Sequence, residues 1–138
     1  MNIALILHDN TMTSKNALNR PLHADKNDAD LYLLKTIAFT HKKTPIKELN
    51  RFFLHEENRR ERLEYLKFSC DIDEIFYVAT CNRIEFFFTT HHVLDTNFLR
   101  KFYRHFRTDW NTEEVDFALK YGEIYEGEDV LRHIYRVA

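Results

Sequence analysis

The sequence predicts an α+β fold in which an antiparallel sheet carries helices on one face. From residue 31 onward, apolar and β-branched runs alternate with amphipathic stretches in the order strand, helix, strand, strand, helix, strand. The two middle runs are separated by only a few residues, as in a hairpin. This is the order of the ferredoxin-like split βαβ sandwich, here followed by a C-terminal helix.

The first part of the chain, residues 1–30, is expected to be a variable lead-in. Residues 10–30 are rich in Asn, Asp, Thr, Ser and Lys, which is typical of a loop or a flexible segment. Residues 1–7 are apolar enough for a short strand, and whether that strand joins the main sheet stays open. Residues 31–138 form the domain proper.

The first core strand is predicted over residues 31–40, where an almost continuous apolar run indicates burial on both faces. Thr44 is expected to cap a short helix with Pro45 at its first position. A second helix is predicted over residues 56–68, packed through Leu63 and Leu66. Its charged residues are expected to form a solvated face, and they are Arg59, Arg60, Glu61, Arg62 and Glu64.

Residues 75–79 and 84–89 are the two hairpin strands, rich in aromatic and β-branched residues. A helix over residues 94–107 follows, with cap-type residues at 95–97 and apolar residues at helical spacing. Its outer side is basic, which fits either an ordinary solvated face or a surface that contacts the phosphates of a nucleic acid. The basic residues are Arg100, Lys101, Arg104, His105 and Arg107.

The remaining elements are a helix over residues 110–119, capped by Asn111 or Thr112, a strand over residues 120–125, and a final helix from Glu128. The apolar stripe of the final helix consists of Val130, Leu131, Ile134, Val137 and Ala138. His133 is expected at the edge of this stripe, about 60° from Val130 for a helix advancing about 100° per residue.

Composition narrows the possible classes of protein. A chain of 138 residues with 44% hydrophobic residues fits one globular domain, and no apolar run is long enough to span a membrane. The apolar start lacks a basic leading segment, so we expect no secretory signal and a cytoplasmic location. In that compartment Cys70 and Cys81 are expected to be free thiols, and Cys70 is given no role. The net charge of −2 provides no general basic field.

The turn between the hairpin strands carries a candidate nucleophile. Cys81 is followed two residues later by Arg83, whose charge favours the thiolate, the nucleophilic form of cysteine. Strand ends hold side chains on a rigid frame within reach of a ligand. The residue types alone leave a second interpretation open, in which Cys81 is a small buried hydrophobe and Arg83 a solvated strand residue.

Three segments in register resemble one family. Residues 80–85 read T-C-N-R-I-E and are similar to the T-C-N-R-x-E signature of glutamyl-tRNA reductases. Residues 40–46 resemble the H-K-x-x-P-V segment of that family, and residues 130–138 resemble its A-V-x-H-L-x-x-V-A segment. The chain departs from the family at Leu49 and Asn50, where an Arg-Glu pair is usual.

The resemblance implies the amino-terminal catalytic domain of glutamyl-tRNA reductase, with the same fold. In that family the cysteine attacks glutamyl-tRNA, and NADPH reduces the resulting thioester to glutamate 1-semialdehyde, the first step of five-carbon tetrapyrrole and haem biosynthesis. The implied catalytic residues are Cys81 and His133. The implied substrate-binding residues are Thr80, Asn82, Arg83 and His41, and no metal is implied.

Other parts of such an enzyme are expected outside this chain. The sequence has two glycines and no G-x-G-x-x-G turn, so we expect no NADPH binding by this chain. The NADPH domain and a C-terminal domain that makes the full-length enzyme a homodimer are expected beyond its end, and the expected partner is glutamyl-tRNA.

Two alternatives to a reductase domain stay open. One is a catalytically silent tRNA-binding or regulatory module with the same fold, which the change at Leu49 and Asn50 permits. The other is a thiol hydrolase in which His133 or His41 acts as the base for Cys81. The catalytic hypothesis requires Cys81, Arg83 and His133 to share one cleft.

Overall fold

One antiparallel sheet forms the centre of the fold. The computed structural model describes residues 2–6 and 30–137. Within them the strands are β1 Asn2–Ile6, β2 Leu34–Thr40, β3 Glu74–Ala79, β4 Arg83–Thr89 and β5 Glu123–Glu126. Their order across the sheet is β1-β3-β4-β2-β5, with every neighbouring pair antiparallel. Strands β2 to β5 have the split βαβ order, so the predicted fold class is confirmed.

Strand β1 is an addition to that four-stranded order. It lies at the sheet edge and pairs with β3, from Asn2 opposite Ala79 to Ile6 opposite Ile75. The short apolar run at the start of the sequence therefore joins the main sheet, a point that the pattern left open. The polar lead-in predicted over residues 10–30 lies, apart from its last residue, outside the described part of the chain.

The α-helices are α1 Ile46–Leu49, α2 Glu56–Ser69, α3 Thr96–Phe106, α4 Thr112–Tyr121 and α5 Glu128–Val137. Helices α2, α3 and α4 contribute buried residues to a single core cluster that also contains Ile84, Phe86 and Phe88 of β4. Phe86 contacts the rings of Phe102 and Phe106 edge-on, with centroids 5.4 and 5.3 Å apart. Three helices thus cover one face of the sheet and hold β4 rigidly.

Helix α5 packs on the opposite face. Because side chains alternate along a strand, Arg83 and Glu85 of β4 point away from the core cluster. His133 of α5 contacts Glu85, and its ring stacks on Tyr125 of β5. The described part of the chain contains no helix with the length and apolar character needed to cross a bilayer.

Two strand boundaries differ from the prediction. The first core strand begins at Leu34, because residues 31–33 form a 3-10 turn closed by a bond from the Leu33 amide to the Asp30 carbonyl. The last strand begins at Glu123, because α4 continues to Tyr121. In both places the strand is shorter than the apolar run, because local backbone hydrogen bonds place the first residues of the run in a helix or a 3-10 turn.

The helix caps were predicted with mixed success. Asp95 caps α3 by accepting the Phe98 amide, and Asn111 caps α4 within a reciprocal capping box with Glu114. The prediction for Thr44 was wrong. Pro45 is the N-cap of α1, and the buried Thr44 hydroxyl has no hydrogen-bond partner among the described residues.

Helix α2 has the predicted position, and its predicted charged face is exposed at Arg60, Glu61 and Glu64, half-buried at Arg62 and wrong at Arg59. Arg59 is buried, and its Nε and Nη2 donate to the Leu54 carbonyl at 3.1 and 2.8 Å. Its guanidinium also lies 5.4 Å from the centre of the Tyr77 ring. A planar cation can be buried where its donors are satisfied and an aromatic face lies beside it, so the expectation of a solvated Arg59 was wrong.

Candidate active site

The turn between β3 and β4 presents the thiol. The Thr80 amide donates to the Arg83 carbonyl at 2.8 Å, and the Asn82 amide donates to the Thr80 hydroxyl at 3.2 Å. The His41 amide donates to the Asn82 carbonyl at 2.9 Å, which ties the turn to the end of β2. Cys81 is exposed at the tip of this braced turn, so the interpretation of Cys81 as a buried hydrophobe is wrong.

Both cysteines are free, as predicted. Cys70 is 1% exposed and belongs to the core cluster, where burial raises the pKa of its thiol to about 11, an effect that Lys101 partly offsets. The two thiols therefore occupy opposite environments, and only Cys81 is accessible to a substrate.

A buried carboxylate connects two of the predicted site residues. Glu85 is 2% exposed; one of its oxygens contacts His133 Nε2, and the other lies 3.8 Å from Arg83 Nε. An ionised carboxylate only accepts hydrogen bonds, so Nε2 of His133 is the donor whenever Glu85 is ionised. The Tyr125 ring stacks on His133 with centroids 4.2 Å apart and planes at 17°. His133 is thus held from two sides.

The position of His133 differs from the sequence prediction. His133 is 4% exposed and lies with Val130 on the buried side of α5, whereas Leu131 and Ile134 are each 38% exposed. The predicted stripe assumed that apolar residues would face inward. The sheet surface beneath α5 is instead polar at Glu85, and the helix turns the side that carries His133 toward it.

A second carboxylate, Glu123, lies in the same row of the sheet. The register places Glu123 opposite Ala38, which in turn lies opposite Glu85. Glu123 accepts hydrogen bonds from the Thr40 hydroxyl at 2.5 Å and from the Tyr125 hydroxyl at 3.2 Å. Burial, followed by the charge of Glu123, raises the pKa of Tyr125, so its hydroxyl stays protonated and donates.

Arg83, Glu123, Tyr125 and His133 line a cleft of about 500 Å³, which we term the polar cleft. It brings together five of the six predicted site residues and adds the cations Lys42 and Arg136. Its full lining is Thr40, His41, Lys42, Thr80, Asn82, Arg83, Glu123, Tyr125, His133 and Arg136.

Cys81 lines a second cleft of about 370 Å³, which we term the thiol hollow. Thr80 lines both clefts and so forms the ridge between them. The catalytic hypothesis required Cys81, Arg83 and His133 to share one cleft. Arg83 and His133 do share the polar cleft, whereas Cys81 lies on the other side of the ridge and lines the second cleft. The hollow is lined by Ile46, Leu49, Asn50, Phe53, Ala79, Thr80, Cys81 and Ile84.

Glu85, Glu123 and Tyr125 were not identified from the sequence. Glu85 carried a usable signal, because it follows Arg83 by two residues in a strand and must share its face. A charged residue within an otherwise apolar and aromatic strand is also unusual. Glu123 and Tyr125 reach the site only because β5 pairs with β2. These two strands are far apart in the sequence, so no local pattern predicts their pairing.

The predicted basic side of α3 is partly used within the fold. Arg100 pairs with Asp116 at 3.0 Å, the His105 ring contacts the Tyr65 hydroxyl at 3.1 Å, and Arg107 donates to the Phe53 carbonyl at 2.6 Å. A phosphate-contacting role for this surface stays a prediction. Among the described residues, no group of three or more His, Cys, Asp or Glu is arranged to hold a metal ion.

Comparisons with known proteins agree with the three sequence segments. The family model described as glutamyl-tRNAGlu reductase, N-terminal domain, matches residues 37–138. The chain is 30% identical over 103 residues to the glutamyl-tRNA reductase of Streptococcus sanguinis (strain SK36), covering 74% of this chain and 24% of that protein.

Two further relatives carry the same name. Identity is 37% over 68 residues with the protein from Citrifermentans bemidjiense, covering 49% of this chain and 15% of the relative. Identity is 27% over 109 residues with the protein from Oceanobacillus iheyensis, covering 78% of this chain and 23% of that relative. The chain thus spans at most about a quarter of the length of these relatives. From the matched family model and these similarities, the chain belongs to the glutamyl-tRNA reductase family, in which it corresponds to the N-terminal domain.

Proposed function

We propose that this chain is the catalytic domain of a glutamyl-tRNA reductase and that Cys81 accepts the glutamyl group of glutamyl-tRNA. The observation that supports it best is an exposed thiol on a braced turn, directly beside a cleft in which Glu85 joins Arg83 and His133. The names of the relatives supply the substrate class.

The proposed step is an acyl transfer. The Cys81 thiol loses its proton to solvent, and the thiolate attacks the carbonyl carbon of the ester that joins glutamate to the terminal ribose. A carbon–sulfur bond forms, the bond from that carbon to the ribose oxygen breaks, and the ribose oxygen takes up a proton. The products are free tRNA and a glutamyl thioester on Cys81.

The polar cleft is proposed to hold the amino acid. Arg83 presents a planar fork that matches two carboxylate oxygens, and Arg136 and Lys42 add positive charge to the same cleft. Thr80 and Asn82 border the thiol on both sides and can donate hydrogen bonds to the substrate. His41 lies at the same end of the cleft, where β2 ends.

His133 is proposed to assist the transfer by polarising the carbonyl or moving a proton. Its Nε2 hydrogen is committed to Glu85, and Tyr125 fixes the plane of its ring. The imidazole therefore has a defined orientation before the substrate arrives, and Nδ1 is the nitrogen left to act on the substrate.

The residues present do not fit a dinucleotide. The chain contains two glycines, and at Gly122 the space that a Cβ would need is already taken by the Tyr103 hydroxyl at 2.8 Å. Neither glycine lines a described cleft. The proposal for this chain therefore ends at the thioester. Reduction with NADPH and homodimer formation are proposed only for a longer protein that supplies those parts.

The direct test is to trap the thioester. Purified chain is mixed with radiolabelled glutamyl-tRNA, quenched in acid, and examined for protein-bound glutamate that hydroxylamine releases. We expect label on the Cys81 peptide, no label in Cys81→Ser, and unchanged labelling in Cys70→Ser. Arg83→Lys, which keeps the charge but loses the fork, should label more slowly while remaining folded.

A catalytically silent tRNA-binding module is the second candidate. It is favoured by one observation, that Cys81 and His133 line different clefts. Such a module would bind glutamyl-tRNA without forming the thioester, so tRNA binding with no label on Cys81 would replace the catalytic proposal. Turnover of simple acyl esters without tRNA would indicate the thiol hydrolase instead.

A further inference from the structure

Helices α2 and α3 meet in a surface that the proposed reaction does not use. The Arg62 guanidinium of α2 donates to the Phe106 carbonyl of α3 at 3.1 Å, and the Tyr65 hydroxyl lies 3.1 Å from His105 Nδ1. These two contacts hold the outward side chains of the helices next to one another. We term this surface the basic seam, and it consists of Arg62, Tyr65, Phe68, Lys101, Arg104 and His105.

Two aromatic rings of the basic seam are exposed. Phe68 is 89% exposed and Tyr65 is 46% exposed, and residues three apart lie side by side on a helix. Within the described part of the chain, Phe68 is the most exposed of the large apolar residues and its ring contacts no other ring. The core gains little from an aromatic ring at this position, so Phe68 is available to a binding partner.

The cations beside these rings are available as well. Lys101 and Arg104 are exposed, and neither forms an ion pair within residues 30–137. Arg100, which lies farther round α3, is instead neutralised by Asp116 at 3.0 Å. One carboxylate, that of the exposed Glu61, precedes Tyr65 by a single helical turn. Positive charge therefore exceeds negative charge on the basic seam, and an anionic partner fits it.

The basic seam leads to the thiol hollow. Arg107, the residue that follows α3, donates to the Phe53 carbonyl at 2.6 Å, and Phe53 lines the hollow. Burial and then the charge of Arg62 lower the pKa of Arg107, an effect that Asp109 partly offsets, so positive charge continues from the seam toward the hollow. Helix α2 rises about 9 Å from Arg62 to Phe68, a distance that holds about two or three phosphates of a nucleic-acid strand.

We propose that the basic seam binds the tRNA of glutamyl-tRNA outside the active site, with phosphates on Lys101 and Arg104 and an unpaired base stacked on Phe68. This inference rests on the proposed function, which supplies the tRNA. Cations that displace counterions from phosphates and aromatic rings that stack on bases are the two features that proteins combine to bind unpaired nucleic acid. The seam presents both within one surface.

The test is a fluorescence anisotropy titration of the chain with labelled, uncharged tRNA over a series of salt concentrations. Lys101→Ala and Arg104→Ala should each weaken binding and lower the slope of log affinity against log salt by about one. Phe68→Ala should weaken binding at least about fivefold and leave that slope unchanged, because it removes stacking and no charge. Arg60→Ala is the matched control, since Arg60 is an exposed arginine of α2 that pairs with Glu64 and lies outside the seam.

A fully paired RNA duplex is the second probe. It offers phosphates but no unpaired base, so Phe68→Ala should leave its binding unchanged, while Lys101→Ala should weaken it. A loss in Phe68→Ala that is equal for tRNA and duplex would overturn the stacked base. Affinity for tRNA that is absent, or that none of the seam variants lowers, would overturn the site and assign the exposed ring to a protein partner.

Labelling of Cys81 separates this inference from the proposed function. The seam variants should need more glutamyl-tRNA for half-maximal labelling and should reach the same yield at saturation. The glutamyl ester of adenosine, which lacks the rest of the tRNA, should label the unmodified chain and the variants alike. Labelling by glutamyl-tRNA that ignores all seam variants would overturn the seam and leave the acyl transfer standing. Absence of label from both substrates would overturn the acyl transfer, and the titration alone would then decide on the seam.

Discussion

At the residue scale, the two thiols differ in exposure to solvent. Burial raises the pKa of Cys70 to about 11, so roughly a thousandth of it is ionised at pH 8. Cys81 is exposed and two residues from Arg83. We predict that iodoacetamide labels Cys81 first and that Cys70 is labelled slowly in the folded chain, faster as the pH rises, because its thiol is buried and burial raises its pKa. Peptide mass spectrometry over a pH series measures both rates. Equal labelling of the two thiols in the folded chain would contradict this account.

Glu85 is the residue on which the polar cleft depends. Glu85→Ala would leave buried His133 without the acceptor for its Nε2 hydrogen, and we predict a loss of about 1–3 kcal/mol in the free energy of unfolding. Glu85→Gln should cost less, because its amide oxygen still accepts that hydrogen. Urea denaturation measures both, with the exposed Glu74→Ala as control. The prediction fails if Glu85→Ala is as mild as Glu74→Ala.

At the element scale, α4 and β5 meet at a glycine for steric reasons. A Cβ at Gly122 would lie 2.8 Å from the Tyr103 hydroxyl and 3.0 Å from the Ala118 carbonyl oxygen. We predict that Gly122→Ala lowers the free energy of unfolding by about 1–3 kcal/mol. Tyr103→Phe should be neutral or stabilising, because the fully buried hydroxyl has no hydrogen-bond partner among the described residues.

The two changes should be coupled. In the Tyr103→Phe background, Gly122→Ala should cost less, since one of the two close contacts is gone, and a double-mutant cycle by urea denaturation measures the difference. Gly127→Ala is the control. Gly127 has φ +59°, and a Cβ there would meet only ordinary contacts, at 3.8 Å from the Leu31 carbonyl oxygen and 3.9 Å from Tyr32 Cα, so its backbone cost should be the same in both backgrounds. Equal costs for Gly122→Ala in both backgrounds would refute the steric explanation.

The elements themselves could be predicted because local patterns specify them. The aromatic and β-branched run of β4, the caps at Asp95 and Asn111, and the spacing of Phe98, Phe102 and Phe106 all act within a few residues. The error at Arg59 occurred where distant partners decide. Arg59 is buried because Leu54 and Tyr77 satisfy it, and no local pattern shows that.

At the scale of the whole molecule, the two clefts of the site combine residues of four strands and two helices. Cys81 and Arg83 could be identified because they belong to one short signature, and His133 because of a family resemblance. Their separation into two clefts could not be predicted, since it depends on α1 closing one side of the turn and α5 the other. The carboxylates that organise the polar cleft come from β4 and β5, which are brought into one row only by pairing with β2.

The last prediction concerns what this chain can do by itself. Cys81 is proposed to accept the glutamyl group, whereas hydride transfer needs a bound dinucleotide, and the sequence has no G-x-G-x-x-G turn. We therefore predict no NADPH-dependent formation of glutamate 1-semialdehyde and no NADPH binding by the chain alone. Its activity should be a slow deacylation of glutamyl-tRNA, because a thioester without hydride is open to water.

Cys81→Ser should abolish that deacylation, because a serine hydroxyl stays protonated at neutral pH and offers no thiolate. Cys70→Ser is the matched control and should keep it, since Cys70 lies in the core cluster away from both clefts. Release of labelled glutamate from glutamyl-tRNA measures the activity in all three proteins. Calorimetry measures the binding of NADPH to the chain. Saturable binding would show that the chain contains a dinucleotide site after all. Deacylation that persists in Cys81→Ser would remove the thioester from the reaction, because water would then be attacking the ester without the thiol.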